Sequence, residues 1–322
     1  MLVSSLTAGA AWAQKTWVGL GDGTSWSDGA NWSGGSSPSP GDLVVLDNTT
    51  VAGSYTVNLP GGSTMVSISR LTINPGVART ITLVLPSSNT GNPGLRAGDG
   101  VAGTDDIVLK AGAVLRNSSG ASVGNGVEAS SLSNGTVRIE NGARYVHGTL
   151  RSASGVAPLL SVAAGTESGE FEYDVPGTGT YNIAASGRTY GKLTLTRSGG
   201  AATYGALGSS ALTVRGTLRL NPGVTYSSTM TGALNLGGDV VNLGAPLVTT
   251  AGQVVAFNGG VEQEVTGSGG MTLGGTGTIA AGTTVGVGTG SFYLNGSLAI
   301  DGALRVDAGG SLGGSGSCTY NA

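Results

Sequence analysis

The chain has 322 residues, of which 61 are glycine, 10% are charged and 39% are apolar, and its formal net charge is −3. Glycine stands far above its usual share of roughly 7% and charge far below the usual ~25%. With no G-X-Y period and apolar residues spread along the whole length, this composition excludes collagen and flexible linker, while 15 basic residues scattered singly exclude a nucleic-acid partner.

In chain order, residues 1–13 (MLVSSLTAGAAWA) read as the remnant of a signal peptide, ending in the small-x-small pattern Ala11-Trp12-Ala13 and lacking a basic start. Residues 14–60 read as an N-terminal cap with the first strands. Trp17, Trp26, Asn31, Trp32 and Asp42 are its expected framework, because buried indoles cover a large area and need polar partners for their N–H groups. Residues 61–322 read as coils of a solenoid, cut short at the C-terminus. No run of eighteen apolar residues occurs, so no membrane-spanning helix is expected.

Helical periodicity is broken by glycine throughout, whereas short strands recur: Leu43 to Leu46, Leu71 to Ile73, Ile81 to Leu85, Leu193 to Leu195, Leu212 to Val214 and Leu218 to Leu220. With φ for an apolar residue, the phrase φ-x-φ-x-x-G-x-x-φ fits 107–115, 137–145, 218–226 and 304–312, and 71–79 is a copy that fails at its last position. Two inward residues at i and i+2 line a buried strand face, and the glycine then turns the chain into the next face. Such units cannot bury their apolar residues alone and must stack on copies of themselves.

The expected fold is therefore all-β, a right-handed parallel β-helix (solenoid) with an N-terminal Trp-rich capping segment; a β-sandwich array is the alternative. Coils on the order of 20 to 25 residues, each rising ~4.8 Å, would give about thirteen turns and a rod about 60 Å long. Leu109, Ile139, Leu220 and Val306 are expected to be equivalent buried positions.

Candidate chemistry is sparse. Glu170, Glu172 and Asp174 alternate along one strand with Phe171 and Tyr173, and Glu262 and Glu264 alternate with Val261 and Val265. Carboxylates at this spacing reach glycosidase distances, but they are also what a solvated strand face looks like. Asp99, Asp105 and Asp106 form an acidic, glycine-rich loop whose oxygens suit calcium, without the spacing of known calcium loops. His147 has no partner constellation and is expected at the surface or a coil edge. Tyr181, Tyr190 and Tyr204 are candidate glycan contacts, or equally a core ladder. Cys318 is the single cysteine, so neither a disulfide nor a thiolate metal site is expected, and no cofactor is.

The segment WVGLGDGTSWSDGANWSGGSSPSPGDLVVL, residues 17–46, has a W…NW…P…GD pattern before a strand. It resembles the opening of autotransporter-like and Bacteroidetes surface proteins that carry a parallel β-helix, and it is also similar to the G8 domain. Residues 181–224 and the phrase QVVAFNGGVEQEVTGSGG at 253–270 resemble repeat phrases of the same secreted proteins, which include cargo of the type IX secretion system. The resemblance implies a secreted protein of the extracellular space or outer cell surface, with glycans or surface and matrix components as partners. The expected function is a non-enzymatic structural or adhesive stalk. The alternative is a carbohydrate-active lyase or hydrolase, or a glycan-binding module attached to one.

Overall fold

A computed structural model describes residues 13–101, 103–129 and 135–321. The expected leader lies outside the described residues, apart from Ala13. Each strand pairs in parallel with its counterpart one coil further along the chain, and the pairs assemble into five sheets. The longest has 11 strands, from Tyr55–Asn58 to Ala303–Val306. Two sheets flank it in the N-terminal half, one of 5 strands from Gln14–Thr16 to Thr136–Ile139 and one of 3 strands ending at Val127–Ala129. Two 7-stranded sheets flank it in the C-terminal half, starting at Thr180–Asn182 and Arg188–Tyr190. This is a parallel β-helix, and the all-parallel pairing excludes a sandwich.

The coils are unequal. Leu71 lies opposite Ile107, but near the other end Thr284 lies opposite Ala303, so the coils shorten toward the C-terminus. Eleven strands at ~4.8 Å spacing make the long sheet about 50 Å in extent.

Inward side chains stack in columns. Leu46, Ile73, Leu109 and Ile139 form one in the five-stranded sheet, all buried. In the long sheet, Leu193, Leu218, Val240, Val265, Val287 and Val306 form another. Each buried Leu or Val of such a column contributes about 1.5 to 3 kcal/mol. The expected equivalence of four positions needs correction on two counts. Leu220 stands in a neighbouring column, opposite Leu195 and Asn242, and Val306 is 46% exposed because its strand is at the edge of the sheet and none of the described residues stacks on its outer side.

The glycine phrase is a corner used in two places. At 107–115 and 137–145 it joins the five-stranded sheet to the long sheet; at 218–226 and 304–312 it joins the long sheet to the seven-stranded sheet that follows. Its glycines, Gly112, Gly142, Gly223 and Gly309, have φ of 84°, 84°, 81° and 87°. In the imperfect copy the corner is longer, running from Ile73 to Ile81 where its neighbour runs from Leu109 to Ala113, and Ala78 takes the left-handed conformation at φ 57°.

At the N-terminal end, Trp17, Trp26 and Trp32 are buried, with Trp32 edge-on to both others at 5.0 and 4.8 Å. Trp32 donates its indole N–H to the carbonyl of Trp26 at 2.7 Å. Asn31 is the polar hub: its carbonyl accepts from the N–H groups of Gly21 and Gly23, and its amide donates to Asp22 and to the carbonyl of Ser25. Asp42 closes its own turn by accepting from the backbone and hydroxyl of Ser39. The segment is tied to the long sheet where Ser25 bridges Asn58 and Trp26 donates to the Asn58 carbonyl.

Candidate functional site

Between residues 148 and 169 the repeat breaks. The chain makes a short 3-10 turn at Ala157–Leu159, and beyond it the two seven-stranded sheets replace the earlier flanking pair. The core at this junction is filled by an aromatic cluster of Tyr145, His147, Phe171, Tyr173, Tyr181, Tyr190 and Tyr204, with neighbouring ring centroids 4.9 to 6.5 Å apart.

His147 is fully buried in this cluster and not at a coil edge, which overturns the expectation from its isolated position in sequence. Its Nε2 lies 3.0 Å from the carbonyl oxygen of Arg151 and 2.9 Å from the Tyr181 hydroxyl. A carbonyl only accepts, so Nε2 carries the proton and Nδ1 is the bare nitrogen, buried without a protein partner among the described residues. Burial outweighs the bond to Arg151 and pulls the imidazole pKa down to about 4. The neutral, enclosed imidazole, bonded to a carbonyl and a phenol, ties two coils of the core together.

Arg151 is also fully buried. Its Nη1 donates to the carbonyls of Gly91 and Asn125, while Nε and Nη2 are buried with no partner, and no carboxylate pairs with it among the described residues. Sequence reasoning missed this group because nothing local marks an arginine that turns inward.

Two clefts open on either side of the junction, both lined by Leu150 and Tyr181. The larger, about 370 Å³, adds Arg151, Ser152, Ser154, Asn182 and Arg188. The smaller, about 180 Å³, adds Pro176, Thr180, Arg197 and Thr203. Neither lining includes an aspartate or glutamate.

The three candidate tyrosines are placed differently. Tyr181, Tyr204 and Tyr226 form the ladder, in register on successive coils, whereas Tyr190 belongs to the other seven-stranded sheet, opposite Val214. Tyr190 and Tyr204 are fully buried, and their hydroxyls donate inward to the carbonyls of Ala184 and Thr196. Tyr181 is half-buried and lines both clefts, and the buried Tyr204 also borders the smaller one.

The carboxylates of the long sheet's outer face are paired. Arg144 meets Glu172 at 2.8 Å and Lys192 meets Glu170 at 3.1 Å across adjacent strands, and Arg116 meets Asp174 at 3.5 Å across an intervening strand. Glu172 and Asp174 are buried beneath these cations, so this is not an open solvated face. Burial raises Glu172 above the usual carboxylate range, more than Arg144 lowers it; for Asp174, burial is outweighed by the Ser198 hydrogen bonds and Arg116, which hold it low. Glu262 and Glu264 both close on Arg305, at 2.5 and 2.8 Å. On that strand Val261 is 58% exposed, and Gln263 and Val265 face inward. Gln263 accepts from the Gly259 N–H and donates to the carbonyls of Leu236 and Gly238, which gives the F-N-G-x-x-x-Q phrase its physical reason.

The acidic loop does not converge. Asp99 pairs with Arg70 at 2.7 Å, Asp105 accepts from Thr136, and Asp106 points to the opposite face of its strand, fully buried. Asp106 Oδ1 accepts from the Asp99 N–H at 3.3 Å and Oδ2 has no partner among the described residues; burial pushes its pKa up to about 6. Among the described residues no three metal-ligating side chains come together, and no helix is long and apolar enough to cross a membrane.

Compared with known proteins, the chain matches no family model, no curated protein and no solved structure.

Proposed function

We propose that this protein is a secreted or cell-surface, non-enzymatic β-solenoid, a structural or adhesive stalk whose outer surface meets glycans or matrix components. The observation that carries this reading is the pairing of the outer-face carboxylates: Glu170, Glu172, Asp174, Glu262 and Glu264 each bond a cation. A hydrolase needs one carboxyl free to give a proton and another free to attack or to activate water, and a lyase needs an unencumbered base. The resemblance of residues 17–46 to the openings of surface proteins supports the placement outside the cell, and the stacked coils suit a stalk.

The test is incubation of the whole chain with a panel of uronate-containing and neutral polysaccharides. The stalk reading expects neither unsaturated products nor new reducing ends above a control without protein. Turnover that disappears in Glu170→Gln or Glu262→Gln would replace it with a carbohydrate-active enzyme.

A further inference from the structure

The junction clefts bring cations together without any acidic residue in their linings. Elsewhere Arg70, Arg96, Arg116, Arg138, Arg144, Lys192 and Arg305 each hold a carboxylate within ion-pair distance, while Lys15, Arg79, Lys110, Arg215 and Arg219 form no ion pair among the described residues and line neither cleft. The three arginines of the clefts form no ion pair among the described residues: Arg188 touches only the carbonyl before it, Arg197 bonds the carbonyl of Ala201, and Arg151 bonds carbonyls beneath the larger cleft with two nitrogens unmatched. Three uncompensated positive charges therefore surround one half-buried aromatic ring in a chain whose net charge is −3.

We infer that the paired clefts around Tyr181 bind an acidic saccharide, with the carboxylates of successive uronate units meeting Arg188 on one side and Arg197 on the other. This rests on the stalk reading, whose glycan contact it locates. Tyr181 and Leu150 supply the apolar surface on which a sugar ring stacks. Ser152, Ser154 and Asn182 in one cleft, and Thr180 and Thr203 in the other, supply the donors and acceptors that a polyhydroxylated ligand needs. The guanidinium fork suits a carboxylate in two-point contact. The larger cleft, about 370 Å³, falls within the usual range of small-ligand sites. Repetition of charge on both sides of one ring favours a polymer of uronates over a single small anion. The buried Arg151 adds a fixed positive field, being held by carbonyls and unable to leave.

The experiment is calorimetric titration of the whole chain with galacturonate oligosaccharides and, in parallel, with neutral maltooligosaccharides and with inorganic phosphate. The double variant Arg188→Glu/Arg197→Glu is compared with Arg79→Glu, an exposed arginine away from both clefts. Expected are a Kd between about 10 µM and 1 mM for the uronate ligand, a loss of at least about tenfold in the double variant, and little change in Arg79→Glu. Equal thermal midpoints for the three proteins show that the fold is kept; if the double variant unfolds, Arg188→Gln/Arg197→Gln carries the same comparison. Absence of binding to the wild-type chain, equal affinity for the neutral sugar or for phosphate, or equal losses in the two variants would overturn the inference. None of these results would disturb the stalk reading, which fails only on turnover.

Discussion

The side chains of His147 and Tyr181, 34 positions apart in sequence, meet at 2.9 Å inside the solenoid and share the carbonyl of Arg151. The bond fastens the coil before the junction to the coil after it, and burial, with Nδ1 left without a partner among the described residues, disfavours the charged ring. Burial sets the folded pKa at about 4, below the ordinary 6.5, so the unfolded chain binds the proton more readily. The stabilising effect is complete above pH ~6.5 and is lost as pH falls toward ~4. In urea titrations at several pH values, the stability of the wild type relative to His147→Gln should shrink by up to about 3 kcal/mol across that window. A pH-independent difference would remove His147 as the acid-sensitive group.

Asp106 has the opposite sign. Its folded pKa of about 6 lies above the usual carboxylate value, so the folded chain is the better proton acceptor. That contribution is complete below pH ~4 and is lost as pH rises through ~6. Relative to wild type, Asp106→Asn should therefore gain about 1 to 3 kcal/mol between pH 4 and pH 7. A calcium titration of the same pair adds a second readout: a micromolar site that vanishes in Asp106→Asn would make the unmatched Oδ2 a ligand and not merely a buried acid.

Position within the stack should decide the cost of a cavity. Leu220 is fully buried with coils on both sides, and Leu220→Ala is expected to cost about 2 to 5 kcal/mol. Val306, with one covered side, should lose less than about 1 kcal/mol on replacement by Ala. Denaturant midpoints of the two variants measure the contrast, and similar losses would mean that the last coil is covered in solution.

Ala78 gives a prediction in the other direction. It holds φ 57° on the exposed corner between Ile73 and Ile81, where a Cβ is disfavoured. Ala78→Gly should stabilise by about 0.5 to 1 kcal/mol, while Gly112→Ala should destabilise, since its φ is 84° and a Cβ there would lie 2.3 Å from the carbonyl oxygen of Arg79. Thermal midpoints moving in opposite directions check both.

The fold was legible because its determinants are local and repeated: two inward residues, a left-handed glycine and a new face, as in Leu218, Leu220 and Gly223. Which corner a given phrase occupies was not legible, because the same turn serves both ends of the long sheet. The junction was hidden for a different reason. His147 and Arg151 are buried by contacts with residues a coil or more away, and a polar residue among apolar ones reads as outward unless its distant partner is known. Gln263 had a better signal, its fixed distance from Gly259, but that signal looks like a motif and not like a hydrogen bond until the turn is seen.

The hydrogen bonds between coils run along the axis of the stack, not across it. A pull on the two ends of the chain therefore loads the bonds of one terminal coil at a time, as in peeling, while the interior coils bear little force. The unequal coils turn this into a graded response: the short C-terminal turns, such as that from Thr284 to Ala303, release little slack when they detach, and the long turns near Leu71 and Ile107 release much more. Stretched from its C-terminal end, the molecule would yield first in small increments and later in large ones, as a tether with a progressive extension limit.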